Sequence, residues 1–374
     1  MEYKVFKVSR CYCPEFIESE LFIEVVNGVI VSISDKPYTT DFIDLSDFLV
    51  MPGFVDVHIH GFEGVDVNRD GIGGIRKMSK GLPKTGVVAF LPTLVSDSKE
   101  NILKILEDFN PNDDFEGAIP LGIHLEGIFI NPKKHGAMDE RFFVKPDIDY
   151  AKELIRHGNV RKFTVAPELE NAIPLIKFLF DNGITVSLGH TDGTFEDFRL
   201  AYLNGANTVT HFFNAMSPFS HRSPNAVGAA LYFNFYLEII GDTHHTSKEV
   251  LALLKPFKDR LVLITDAIEA TNLKDGIYKL GNYDVFVSDG TARLKDGTLA
   301  GSILTMDRGF KNLVKFGDFS FGDAVVSSSL LPSRSIGEKM LGDIKVGKFA
   351  SFVCMDESLN VKKTIVKGKI VYEG

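Results

Sequence analysis

Short apolar, β-rich runs recur through the middle of the chain, at 53–58, 87–92, 119–125, 162–166, 184–188, 207–210, 235–240 and 261–265. Most intervals between them can hold a helix, as in Asn101-Ile102-Leu103-Lys104-Ile105-Leu106, Asp197 to Leu203 and Ser247 to Phe257. That alternation predicts buried parallel strands, each followed by a helix. Eight such repeats in about 290 residues fit an α/β fold of the (β/α)8 barrel type, ~250 residues plus insertions. A doubly wound open sheet is the competing architecture, but no Gly-x-Gly-x-x-Gly follows the first strand.

The two ends pattern differently. Residues 1–50 are strand-like, and Asn27-Gly28 between apolar runs is a strong hairpin signal. Residues 342–374 look alike, with Ala350 to Val353 and Thr364 to Val371 as strand-like runs. Neither end can bury a sheet alone. The expectation is therefore one small β-sandwich domain built from 1–50 and 342–374, flanking a barrel over 51–341. Turn signals at Asp289-Gly290 and Asp296-Gly297 add a β insertion near 276–300, after the eighth strand.

The strand ends carry the candidate chemistry. The first strand reads Phe54-Val55-Asp56-Val57-His58-Ile59-His60, and residues two apart on a strand face the same way, so His58 and His60 share a face. The third ends His124-Leu125-Glu126-Gly127, which again sets His124 and Glu126 together. The fifth stops on His190 and the sixth on His211; the seventh ends in Gly241-Asp242-Thr243-His244-His245 and the eighth in Thr265-Asp266. A packed core gains nothing from polar groups at the same end of six strands. In a parallel barrel that rim is where ligands and catalytic groups are placed.

Imidazole and carboxylate without thiolate suit Zn, Fe(II) or another divalent ion rather than an iron–sulfur centre. Such an ion lowers the pKa of a bound water and makes a nucleophile near neutral pH. A carboxylate beside that water can take and return its proton, and Asp266 is the candidate for this work.

Composition narrows the partners. The 374 residues are 44% hydrophobic and 24% charged with a net charge of −9, which argues against a general nucleic-acid or membrane-surface binder. An anionic ligand would need its own local cation. No apolar stretch approaches the ~20 residues of a membrane span, and the N-terminus has no signal-peptide core. Cys11, Cys13 and Cys354 are too few for a disulfide framework, so a cytoplasmic protein is expected.

Several segments together carry a resemblance. They are Pro52-Gly53-Phe54-Val55-Asp56-Val57-His58-Ile59-His60, His124-Leu125-Glu126-Gly127, Gly189-His190-Thr191, Thr210-His211-Phe212-Phe213-Asn214-Ala215-Met216, His221-Arg222, Thr265-Asp266-Ala267 and Leu299-Ala300-Gly301-Ser302. The first resembles the strand-one signature of the amidohydrolase superfamily. The set resembles, within it, the N-acetylglucosamine-6-phosphate deacetylases, from residue 52 to about residue 314. The His-x-His is shared across the superfamily, whereas the Thr-His-x-x-Asn-Ala-Met and Leu-x-Gly-Ser runs are far more specific.

The resemblance implies metal-dependent hydrolysis of the acetamide of N-acetylglucosamine 6-phosphate, in amino-sugar metabolism. It implies that Glu126, His190 and His211 hold the main metal, Zn or Fe, with His58 and His60 available for a second ion. It implies sugar contacts from Asn214, Ala215, Ala137 and Leu299, Ala300 and Gly301, a phosphate contact from Arg222, and an acetamide contact from His245. Asp266 would be general base and then acid. A homodimer is implied, with the Arg222 contact crossing between subunits. Many relatives carry Lys-Lys-Gly-x-His after the third strand; here Lys134-His135-Gly136-Ala137-Met138 puts methionine at the last position. A cyclic-amide hydrolase would use a carbamylated lysine at the end of strand four. That end reads Val165-Ala166-Pro167-Glu168, with Lys162 expected near the opposite rim.

Overall fold

The structure is a computed structural model that describes residues 2–13 and 15–374. Its eight central strands are β1 (Phe54–Ile59), β2 (Val87–Leu94), β3 (Ile123–Phe129), β4 (Val160–Val165), β5 (Thr185–Leu188), β6 (Thr208–Val209), β7 (Tyr236–Ile240) and β8 (Leu261–Ile264). They pair in parallel and in chain order from β1 to β8. The ring closes where the Asp266 N–H donates to the His58 carbonyl, 2.9 Å, beside a parallel bridge between Ile59 and Ala267. Every residue of β1, β2 and β3 is buried, as strands lined by a packed interior on one face and helices on the other require. The chain folds as a (β/α)8 barrel with a small β-sandwich formed by its two ends.

Local signals set the helices. Phe195–Leu203 begins at a capping box in which the Thr194 hydroxyl and the Asp197 carboxylate each accept the other's backbone N–H. The Ser98 hydroxyl caps Lys99–Asp108 by accepting the Asn101 N–H. Two expectations shift. The run 119–125 is not one strand: Ile119–Pro120 pairs beside β2, and the chain breaks before β3 at Gly122, where φ is +140°. Proline cannot donate to a ladder, so it sits where pairing stops. The stretch from Ser247 to Phe257 holds only the short helix Lys248–Leu253, because Pro256 turns the next residues into a 3-10 segment.

At the ends, Leu49–Pro52 lies between Phe352–Met355, antiparallel to it, and Tyr3–Tyr12, parallel to it. Asn27 and Gly28 both have positive φ, 48° and 81°, and join Phe16–Val26 to Val29–Ser34 in a tight hairpin. Phe6, Val8, Ile23, Val25, Val50, Phe352 and Ile365 fill this sheet's core, with Phe6 edge-on to Phe352 at 5.7 Å. The three cysteines are buried and unpaired. Gly276–Leu280, Tyr283–Ser288 and Thr291–Arg293 form an antiparallel sheet. Its Leu280, Val285 and Val287 pack against Val95, Ile130, Met138 and Ile268 beside the barrel mouth.

Candidate metal centre

Strand geometry brings six predicted side chains to one point. His58 stands on β1 and Glu126 on β3, while His60, His190, His211 and Asp266 follow β1, β5, β6 and β8. The last three have φ of 48°, 27° and 52°, and Phe213 and Ala215 beside them are also positive. Non-glycine residues in this region carry strain, and such strain clusters at functional sites.

Glu126 sits at the centre. Its Oε1 lies 2.9 Å from His211 Nε2 and 3.1 Å from His190 Nε2. Its Oε2 lies 3.1 Å from His60 Nε2 and 3.2 Å from His58 Nε2. Asp266 Oδ1 is 3.1 Å from His60 Nε2 and 3.5 Å from His58 Nε2. The donors thus form two buried groups, Glu126/His190/His211 and His58/His60/Asp266, joined by the two oxygens of one carboxylate.

The outer ring nitrogens show what these groups fit. His190 Nδ1 donates to the Lys134 carbonyl at 2.7 Å, His60 Nδ1 to the Thr93 carbonyl at 3.2 Å, and His58 Nδ1 to Glu238 Oε2 at 3.4 Å. Those partners only accept, so each Nδ1 carries a hydrogen, and whenever the ring is neutral its Nε2 presents a lone pair. On neutral rings the Nε2 atoms of His58 and His60 would then face each other as lone pairs at 3.1 Å, and those of His58, His60 and His190 would face carboxylate oxygens; His211 Nε2, whose Nδ1 has no partner, lies 3.0 Å from that of His190. Positive charge relieves that repulsion, either as protons on the rings or as a cation held between them. A tetrahedral ion with ligands at about 2.0–2.1 Å has edges of about 3.3 Å, so the residues fit a divalent metal.

The electrostatics agree. Burial works against a charged His58 and His60, yet Glu126 and Asp266 outweigh it and push them up to about 10 and about 9. Burial also opposes ionised Glu126 and Asp266, but the surrounding histidines hold both below the usual carboxylate range. Burial pushes His211 down. One layer lower, Lys162 forms a fully buried ion pair with Glu238. Burial opposes the Glu238 charge, but Lys162 holds this carboxyl below its ordinary value. Lys162 therefore points into the barrel interior under His58, and does not reach the ligand groups. Burial pushes Asp56 up to about 6, partly offset by hydrogen bonds from Thr265 and the His58 N–H.

A cavity of about 450 Å³ opens above the centre. His245, Asn214, Ala215, Ala137, Leu299 and Gly301 line it together with His60, Glu126, His190, His211 and Asp266. His245 is oriented by Asp242, whose Oδ2 lies 2.7 Å from Nδ1 and whose Oδ1 accepts the His245 backbone N–H at 2.8 Å. Ala300 is fully buried behind the wall, its N–H donated to the Ala292 carbonyl at 3.0 Å. Arg222 lies apart, exposed on the Ser220–Ser223 turn and outside the cavity lining. Met138 lines the cavity and lies against Gly127, where a Cβ would come within 2.3 Å of its sulfur.

Sequence reasoning gave no role to Lys134 and Arg293, the cations that line the cavity, or to Asp242 and Glu238. Asp242, three residues before His245, was visible as a turn-forming partner. Glu238 is an acid within an otherwise apolar strand, and a buried acid implies a partner.

A parallel barrel with imidazoles and carboxylates converging at its C-terminal rim, under an open cavity, defines a metal-dependent hydrolase scaffold. Comparison with known proteins supplies the family: the amidohydrolase family matches residues 49–371, and the chain belongs to it. The N-acetylglucosamine-6-phosphate deacetylase of Bacillus subtilis is 34% identical over 366 residues, covering 94% of this chain and 92% of that protein. An N-acetylgalactosamine-6-phosphate deacetylase of Escherichia coli is 33% identical over 355 residues, 93% of this chain and 94% of that one. Among solved structures, the N-acetylglucosamine-6-phosphate deacetylase of Thermotoga maritima superposes with a TM-score of 0.89 at 34% identity, over 99% of this chain and 100% of that one. A variant of the Mycobacterium smegmatis enzyme, in complex with N-acetyl-D-glucosamine 6-phosphate, gives 0.92 at 26% identity, over 99% and 100%.

Proposed function

We propose that this chain hydrolyses the acetamide of N-acetylglucosamine 6-phosphate to glucosamine 6-phosphate and acetate, in amino-sugar metabolism. The observation that carries the reading is the double donor group around Glu126 beneath an open cavity, in a chain so similar to deacetylases along nearly its whole length. Glu126, His190 and His211 would hold a main divalent ion, Zn or Fe, and His58 and His60 a second. Bound there, the ion would polarise the amide carbonyl and acidify the attacking water.

The chain's own residues supply the rest. Asp266, ionised and facing the same centre, takes the proton from that water and returns it to the departing nitrogen. An amide anion is a very poor leaving group, so the second transfer matters as much as the first. His245, its Nδ1 committed to Asp242, has Nε2 left for the acetamide. Asn214, Ala215, Ala137 and the 299–301 segment contact the sugar. Arg222 binds the 6-phosphate of the other subunit in a homodimer, a role its position outside its own cavity supports. A guanidinium suits phosphate because it is always charged and binds bidentately.

A cytoplasmic location accords with three free cysteines and with the absence, among the described residues, of a helix long and apolar enough to cross a membrane. We take 1–50 with 342–374 and 51–341 as the two domains. The test is acetate release by metal-loaded protein from N-acetylglucosamine 6-phosphate, run beside its galactosamine epimer because one similar relative bears that name. Release from the glucosamine compound is expected. No release from either overturns the proposal.

A further inference from the structure

The fully buried Lys162 and Glu238 are not among the metal-facing donors, and their arrangement gives them separate work. Lys162 on β4 and Glu238 on β7 reach toward each other across the barrel interior, each side chain at 0% exposure. Glu238 Oε1 takes the ammonium, while Oε2 faces His58 Nδ1 at 3.4 Å. The Val57 carbonyl, 3.5 Å away, also faces the Lys162 Nζ. Among the described residues His58 Nδ1 has no other hydrogen-bond partner, so Glu238 decides whether that nitrogen donates or accepts.

We propose that Lys162 and Glu238 are a positioning pair that fixes His58 with its hydrogen on Nδ1, and thereby builds the second ion subsite of His58, His60 and Asp266. The proposal rests on the metal-centre reading above. The reasoning follows from donor and acceptor inventories. An ammonium has three donors and no acceptor, so it takes one oxygen of its partner. The second carboxylate oxygen then faces His58 and can only accept, which holds a hydrogen on Nδ1 and leaves Nε2 as the nitrogen that can give its lone pair to an ion beside Glu126 and Asp266. Partners of this kind orient metal-ligating histidines and fix their tautomer.

Glu238→Gln exposes this logic. With Lys162 present, the amide oxygen must turn to the ammonium, so the NH2 faces His58 Nδ1. That nitrogen becomes the acceptor, the hydrogen moves to Nε2, and the ligand lone pair is lost. Lys162→Met removes the constraint: in the double variant the amide turns round, its oxygen accepts from Nδ1, and the ligating tautomer returns. A second substitution in the barrel core should thus repair the first.

The experiment titrates metal-stripped protein with Zn, following stoichiometry by calorimetry and, in the Zn-loaded protein, the His58 tautomer by nitrogen-15 NMR. The parent should take two ions. Glu238→Gln should keep the ion of Glu126, His190 and His211 but bind the second about 10–100-fold more weakly, the range for losing such a partner. Lys162→Met with Glu238→Gln should bind it within a few-fold of the parent, with Nδ1 again protonated. Second-ion affinity unchanged in Glu238→Gln, or no better in the double variant than in the single one, overturns the proposal. If Glu238→Gln does not fold, the double variant decides alone, by its second-ion affinity and tautomer. A parent that binds no ion would overturn the metal-centre reading itself, whereas one that never exceeds a single ion would overturn only the second subsite.

Discussion

Asp266→Asn isolates the proton-transfer step from binding. Asp266 has φ of 52°, a conformation that asparagine tolerates better than most residues. Its local tether is main chain: its N–H donates to the His58 carbonyl at 2.9 Å, and its carbonyl accepts from Ser302 N–H at 2.7 Å. Both survive the substitution, so the barrel seam should close as before. The change removes one negative charge 3.1 Å from His60 Nε2 and 3.5 Å from His58 Nε2, and removes the ability to carry a proton. The Glu126/His190/His211 group does not include Asp266, so its ion should stay. Turnover should fall ~10²–10⁴-fold, the range for a lost general acid–base catalyst, or about 2.7–5.4 kcal/mol of barrier. Further loss would mean that the second ion has been weakened as well. The assay is kcat for acetate release beside metal content, in one preparation. A variant that keeps its metal and most of its kcat removes Asp266 from the mechanism and moves the proton chemistry to His245.

Three other outcomes are expected. Arg222→Ala should lower kcat/KM for the phosphorylated sugar by ~10²-fold or more, through loss of a charge-assisted bidentate contact, and leave the unphosphorylated sugar nearly unaffected; equal losses would refute the phosphate role. Metal removal should make stability depend on pH. The folded pKa values of His58 and His60 are about 10 and about 9, above the unfolded value of ~6.5, so the stability from their protonation is complete below about 6.5 and lost as pH rises through 9 and 10. Thermal melts of chelator-dialysed protein across that range should fall in Tm and recover with Zn, whereas a flat profile would contradict the charge balance described. Arg260 donates to the carbonyls of Ala230, Leu231, Phe233 and Phe235 at 2.5–3.2 Å, closing the end of the Asn225–Tyr232 helix. Arg260→Ala should cost ~2–3 kcal/mol in urea unfolding with little change in kcat, because charged hydrogen bonds are lost and half-buried carbonyls are left unpaired.

The barrel was legible because its strands are short apolar runs at regular intervals, and because the six metal-facing residues all sit at the same end of their strands. Period-two alternation was enough to pair His58 with His60 and His124 with Glu126. It could not reveal that Glu126 splits its two oxygens between the donor groups, since that depends on the relative stagger of β1, β3, β5 and β6. Nor could it join Lys162 to Glu238: they are far apart in sequence and meet only across a closed barrel. The break at Pro120-Leu121-Gly122 hid inside an apolar run, where hydrophobicity masks turn chemistry. Arg222 shows the opposite limit, since its motif was plain while its distance from its own cavity was not.

The placement of Leu49–Pro52 between strands from both ends of the chain has a consequence for biosynthesis. On one side it is flanked by residues 10–11, which emerge before it, and on the other by Phe352–Met355, which emerges about 300 residues later. At roughly 5–20 residues per second, translation leaves its second edge open for on the order of 15–60 s. During that interval an apolar strand directly preceding β1 presents unpaired N–H and C=O groups to whatever is nearby. A nascent chain can form the hairpin around Asn27-Gly28 early, but it cannot frame the first barrel strand until Phe352–Met355 has emerged. Premature termination shortly before residue 352 would therefore strand a nearly complete barrel beside an adhesive edge, and such products should be found in aggregates rather than as partly active enzyme.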